Sequence, residues 1–171
     1  MSEEEPRARI KAWCRDGRAS DFEAFYRQQA PRLWRFLRAR GLDADSAYDG
    51  VAESFARFVQ AVCRDPAEPV ALLYRIALNW RIDQQRRAAA RPEDGSPAVD
   101  AAAAPDAAEH AAVRELVAAL PPPEQNLVLL RYWLGFSFRE IAAMTGTPEG
   151  TLRRRGSELL RDLARRWQGL I

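Results

Sequence analysis

Residues 137–166 read SFREIAAMTGTPEGTLRRRGSELLRDLARR, two helices punctuated by a glycine and a proline. Ser137, followed three residues later by Glu140, forms a capping box. The Ser137 hydroxyl can accept from the Glu140 amide while the Glu140 carboxylate reaches back to the Ser137 amide. The helix opened this way carries Ile141, Ala142 and Met144 and stops at Gly146. Thr147-Pro148 then predicts a new helix, with Thr147 as N-cap and Pro148 in the first turn. Its apolar stripe runs through Leu152, Gly156, Leu159, Leu160, Leu163 and Trp167. At about 100° per residue, Arg154 falls nearly opposite that stripe. Thr151, Glu158 and Arg161 also face outward, with Arg153 and Arg155 on the flanks. A short capped helix, a tight turn and a longer arginine-bearing helix make a helix-turn-helix.

Upstream, Leu127, Leu130 and Leu134 share one helical face, with Gly135 placed to end that helix in a left-handed cap. Val113, Leu116, Val117 and Leu120 form another face, stopped by Pro121, Pro122 and Pro123. Before these lies AAARPEDGSPAVDAAAAPDAAEHAA, whose only larger aliphatic residue is Val99. Such a run buries too little apolar area to offset its ordering entropy and predicts a flexible linker, with some alanines extending the flanking helices. N-terminal to it, three further stripes follow helical spacing. The first holds Phe22, Phe25, Tyr26, Leu33, Phe36 and Leu37, with Pro31 predicted to kink or break it. Tyr48, Val51, Ala52, Phe55, Phe58, Val59 and Val62 form the second, with Asp45 or Ser46 as cap. Leu73, Ile76, Ala77 and Trp80 form the third. No segment alternates like a strand. The expectation is an all-α chain of two small helical domains, 1–90 and 112–171, joined by an Ala/Pro/Asp-rich linker at 91–111, the C-terminal domain being the helix-turn-helix.

With 47% hydrophobic and 29% charged residues in 171, the chain has enough apolar material for a core. No run approaches a membrane span, and MSEEEPRARIK at the N-terminus lacks the apolar segment of a secretory signal. The reading is a cytoplasmic protein without membrane insertion. Two cysteines, Cys14 and Cys63, make neither a disulfide framework nor a zinc quartet and are expected to stay reduced in a cytosol. One histidine, His110, cannot build a triad or a metal site alone, so no catalytic residue, metal ligand or cofactor is assigned. The net charge of +2 hides an uneven distribution. Residues 63–92 carry six basic and three acidic side chains and residues 127–171 carry eight and four, while 93–126 carry one and seven. All basic residues but Lys11 are arginine. Two basic blocks flanking an acidic strip point to a polyanionic partner, since neutralising phosphates releases counterions.

Three segments carry candidate chemistry. On the second helix of the helix-turn-helix, arginine is the commonest bidentate reader of guanine, and Glu158 can accept from cytosine N4 in a major groove. The run LLYRIALNWRIDQQRR, residues 72–87, places Arg75, Asn79, Ile82 and Arg86 on one stripe opposite a core-facing Trp80. Basic, amide and apolar groups together suit single-stranded or melted nucleic acid. In DGVAESFAR, residues 49–57, Asp49 and Glu53 stand one helical turn apart. With no histidine, third carboxylate or glycine-rich loop beside them, a docking face for a basic partner is the better reading than acid/base or metal chemistry.

In their order, these segments resemble a bacterial RNA polymerase sigma factor of the extracytoplasmic-function (ECF) type. The resemblance rests on DFEAFYRQQAPRLWRFLRAR, DGVAESFARF, PVALLYRIALNWRIDQQRR and LPPPEQNLVLLRYWLGFSFREIAAMTGTPEGTLRRR, and covers about residues 20–88 and 112–167. It implies partners in core RNA polymerase and promoter DNA, allows an anti-sigma factor, and leaves phosphodiester chemistry to the polymerase. It places Asp49, Val51, Glu53, Ser54 and Arg57 at the polymerase. Arg75, Asn79, Asp83, Arg86 and Arg87, with the preceding loop, fall at the minus-ten element. Thr147, Thr151, Arg153, Arg154, Arg155 and Glu158 fall at the minus-thirty-five element. The chain departs from the family pattern at Gly50, Ala52, Gly156 and Glu158, the first three being smaller than usual and the last acidic. A stand-alone helix-turn-helix regulator would leave residues 1–90 without a task, and a carboxylate-dependent nuclease would lack its ligand cluster.

Overall fold

The computed structural model describes residues 4–90 and 107–169, and every regular element among them is helical. The chain divides into two compact units. The first holds α1 (Glu4–Asp16), α2 (Ala19–Ala39) apart from its last residue, α3 (Ala44–Ala61), a 3-10 turn (Val62–Arg64) and α4 (Pro69–Ala89). The second holds α5 (Ala107–Ala118), α6 (Pro122–Val128), a π-helical turn (Leu129–Trp133), α7 (Phe138–Thr145) and α8 (Glu149–Gln168). Helix α5 therefore begins inside the stretch assigned to the linker, where alanines of high helix propensity start the helix early. Residues 91–106 of that assignment lie outside the described residues.

In the first unit the core is aromatic. Phe25 stacks on Phe58 at 5.1 Å between centroids, and Phe55 meets Phe22, Phe25 and Phe58 edge-on. Phe25 and Phe58 are fully buried, each contributing roughly 1.5–3 kcal/mol of transfer free energy. Helix α2 runs through Pro31 without a break. The proline leaves one carbonyl a turn earlier without its helical donor, on a side where Pro31 is exposed to water.

Helix α3 is capped by Asp43, not by Asp45 or Ser46. The Asp43 carboxylate accepts from the Ser46 amide at 2.8 Å and from the Ser46 hydroxyl at 2.7 Å. These bonds, the backbone one foremost, hold its pKa below the ordinary 3.8. The buried face of α3 is also rotated from the expected stripe: Ala47, Gly50, Val51, Ser54, Phe55 and Phe58 are buried, whereas Tyr48, Ala52 and Val59 are exposed. An apolar count overlooks Gly50 and Ser54, which are buried without being large or apolar. A Cβ built on Gly50 would stand 2.7 Å from Cζ3 of Trp80 and 2.8 Å from Cδ1 of Leu37. Ser54 satisfies its buried hydroxyl by donating to the Gly50 carbonyl at 2.6 Å. Trp80 on α4 is buried as expected.

Cys14 and Cys63 are not free thiols here. They form a disulfide, with Cα atoms 5.4 Å apart, across 49 residues of sequence. Spacing in the sequence cannot reveal it, because the contact exists only once the last turn of α1 lies beside the 3-10 turn.

Candidate nucleic-acid interface

The capping box forms as expected. The Ser137 amide donates to Glu140 Oε2 at 2.6 Å, and the Glu140 amide donates to Ser137 Oγ at 3.1 Å. Gly146 closes α7 at φ +74°, where a side chain would be strained. The preceding helix ends through a π-turn not foreshadowed by the residue pattern, the Leu134 amide reaching the Leu129 carbonyl at 2.9 Å. Gly135 follows at φ +79°, in the left-handed region as anticipated. Thr147 is not the N-cap of α8. Pro148 holds that position with extended ψ of 139°, and its carbonyl accepts from the Leu152 amide.

Helix α8 buries Leu152, Gly156 and Leu159 and turns Arg153, Arg154, Arg155, Glu158 and Arg161 to solvent, with Thr151 half-buried. The arginines differ in employment. The Arg153 guanidinium pairs with Glu149, its Nε 3.0 Å from Oε1, and lies 5.4 Å from the centroid of the Phe138 ring. Arg131 sits over the same ring at 4.9 Å, so two guanidinium groups share Phe138. Arg154 and Arg155 have no ion pair or ring contact among the described residues, which leaves their forks free. Arg165 pairs with Asp162, and Arg166 does not. Gly156 has a packing reason as well: a Cβ there would meet Phe138 Cε1 and the Tyr132 hydroxyl, each at 3.2 Å.

On α4, Arg75, Asn79, Ile82, Arg86 and Arg87 are exposed and Asp83 is half-buried, so the expected stripe is a real surface. Arg81 lies off it, half-buried, where desolvation lowers its pKa. On α3 the expected docking set divides. Asp49 and Glu53 face solvent, and Arg57 is tied to Glu53 at 2.7 Å. Val51 and Ser54 are buried and lie beneath that face, not on it. A group not expected from the sequence joins exposed Tyr48 on α3 to half-buried Trp34 and Arg38 on α2. Tyr48 packs on Trp34 at 5.4 Å, Arg38 covers Trp34 at 5.7 Å, and the Trp34 indole N–H donates to the Ala44 carbonyl at 3.4 Å. Trp34 and Arg38 one turn apart on α2 were the available signal.

A capped helix, a tight turn and a second helix with unpaired arginines facing out define a helix-turn-helix DNA-binding protein with a second helical unit. A family model for sigma-70 region 4 matches residues 110–163. The chain is 32% identical over 162 residues to the RNA polymerase sigma factor CarQ of Myxococcus xanthus, spanning 87% of this chain and 92% of that protein. It is 32% identical over 150 residues to the ECF RNA polymerase sigma factor SigL of Mycobacterium tuberculosis, spanning 80% and 83%. Its fold is similar to that of CnrH, solved in complex with the cytosolic domain of CnrY, with a TM-score of 0.73 at 23% identity over 96% of this chain and 98% of that one. The chain belongs to the ECF RNA polymerase sigma factors. As such it binds core RNA polymerase and directs promoter-specific initiation of transcription. Among the described residues no helix is long and apolar enough to cross a membrane.

Proposed function

We propose a division of labour in which the first unit, within residues 1–90, docks on polymerase and meets the minus-ten element. In this reading the second unit, within 112–171, meets the minus-thirty-five element. The observation that carries it is a set of solvent-exposed side chains on three surfaces, of which Asp49, Arg154 and Arg155 have no ion pair among the described residues. Asp49 and Glu53 offer negative charge on α3, suited to a basic docking surface. Arg75, Asn79, Ile82 and Arg86 line α4, suited to unstacked bases. Arg154 and Arg155 lie free on α8, suited to base edges and phosphates. Each contact is weak alone, and tethering on one polymerase raises the effective concentration of the next. The chain performs no reaction step in this reading, and it works in the cytoplasm, where the polymerase and its template are.

An anti-sigma partner belongs to the same reading. Its support is the complex of CnrH with CnrY and, on this chain, the exposed apolar side chains of Tyr26, Val59 and Ile82. The test is site-specific photo-crosslinking in reconstituted holoenzyme on promoter DNA. A photoreactive residue at position 82 should capture the minus-ten region and one at position 158 the minus-thirty-five region. Capture of the same DNA segment by both would overturn the assignment.

A further inference from the structure

The Cys14–Cys63 bond occupies an unusual place. Helix α1 is held to the first unit by few groups: Pro6 and Ile10 are its only buried residues, and Trp13 packs on Phe22 at 5.0 Å. Arg7 pairs with Glu68 at 2.7 Å, but both side chains are more than a third exposed, where an ion pair adds little. The disulfide joins the last turn of α1 to the 3-10 turn at Val62–Arg64, and the Arg7–Glu68 pair joins its first turns to the residue before α4. Helix α1 thus meets both ends of residues 63–68, covalently at Cys63 and through a weak surface pair at Glu68, and this segment leads into the Arg75–Asn79–Arg86 stripe. Cys63 is exposed and Cys14 half-buried, so a small thiol reaches the bond without unfolding the unit. In a cytosolic protein, a disulfide of this kind is more often transient and redox-sensing than structural.

We propose that Cys14 and Cys63 form a reversible thiol–disulfide switch that fixes or frees the segment entering α4, and so sets how well the first unit engages the minus-ten element. This rests on the assignment of α4 to that element. In reduction, the thiolate of a low-molecular-weight thiol attacks Sγ of exposed Cys63. The Cys63–Cys14 bond breaks, and Cys14 leaves as a thiolate that takes up a proton. A second thiol then attacks the mixed disulfide, releasing Cys63 as thiol and the small molecule as its own disulfide. Two thiols supply the two electrons and two protons gained by the protein. The low-molecular-weight disulfide reverses both steps, so the ratio of the small thiol to its disulfide sets the state. The bonded state is the active one, because it holds residues 63–68 in place before DNA arrives.

The test uses full-length chain assembled with core polymerase and equilibrated across a series of glutathione to glutathione-disulfide ratios. The bonded fraction is read by alkylation and mass spectrometry, and motion by hydrogen exchange over residues 4–16 and 63–75. Transcription is read from a promoter chosen by sequencing the transcripts that the oxidised holoenzyme starts on genomic DNA. Reduction should raise exchange in both segments and lower transcription in step with the bonded fraction, and re-oxidation should restore both. The melting temperature of the first unit should fall by about 10 °C or more when a cross-link closing so long a loop is lost. Cys14→Ser and Cys63→Ser should sit at the reduced level whatever the ratio; should either fail to fold, the reduced parent serves in its place. Transcription independent of the bonded fraction, or a bond that stays intact across the whole series, would overturn the switch. If exchange responds but cross-links from position 82 never reach the minus-ten region, the assignment of α4 fails and the redox chemistry stands.

Discussion

Gly50 on α3 lies against the indole of Trp80 on α4, so closely that a Cβ would stand 2.7 Å from Cζ3 and 2.9 Å from Cη2. The smallest residue on α3 therefore sets the helix spacing beneath the two faces assigned to polymerase and to DNA. Gly50→Ala removes a helix-weakening glycine but forces Trp80 and Leu37 to move, and overpacking outweighs propensity. The expected result is a loss of about 1–3 kcal/mol in denaturant unfolding of the first unit. Pairing it with Trp80→Phe, which removes the clashing atoms, should make the two losses less than additive.

Asp49→Arg should weaken association with core polymerase while leaving helicity and melting temperature unchanged. Asp49 is exposed and has no bond or ion pair among the described residues, so its reversal disturbs nothing within the fold. Like charges placed across an interface cost several kcal/mol. Competition against the parent for limiting polymerase measures the effect, and equal competition would move the docking face elsewhere, the Trp34–Tyr48 stack being the next surface to test.

Arg153 and Arg154, adjacent in sequence, should separate by experiment. Arg154→Ala should cost about 1–3 kcal/mol on the cognate minus-thirty-five element and relax preference at one base pair. Arg153→Ala removes the partner of Glu149 and one cover of Phe138, and should lower thermal stability of the second unit as well as activity. Activity of reconstituted holoenzyme on single-base promoter variants, beside melting curves, distinguishes them. A uniform loss for Arg154→Ala on every variant makes it a phosphate clamp.

Asp43 gives a pH dependence with a definite sign. Its folded-state pKa lies below the ordinary 3.8, so the stability it contributes is present above that value and is lost as pH falls through the folded pKa. Asp43→Asn keeps a capping acceptor without the titration. The melting temperatures of parent and variant should differ most near neutral pH and converge in acid. A gap that widens on acidification would contradict the cap as described.

The helix-turn-helix was legible because its signals are local: Ser137 with Glu140, the turn at Gly146, and the period of Leu152 and Leu159 lie within a few residues of one another. Arg154 and the α4 stripe follow from the same period. Other features depend on what packs against a residue. Val51 fits the apolar pattern and the family motif equally, and only the folded structure decides that it is buried. Ser54 reads as a surface residue until the Gly50 carbonyl supplies its acceptor. Arg153 looks like its two neighbours until Phe138 folds under it, and Cys14 and Cys63 meet only through tertiary structure.

This chain gives core RNA polymerase a promoter specificity that the chain does not possess alone. The most direct measurement combines purified chain with purified core polymerase, follows co-elution on a sizing column, and sequences the transcripts started on genomic DNA. The expected result is one complex and a small set of start sites sharing two upstream elements, while free chain binds duplex DNA weakly and with steep salt dependence. Separate elution, with the free chain binding one DNA sequence tightly at physiological salt, would contradict it.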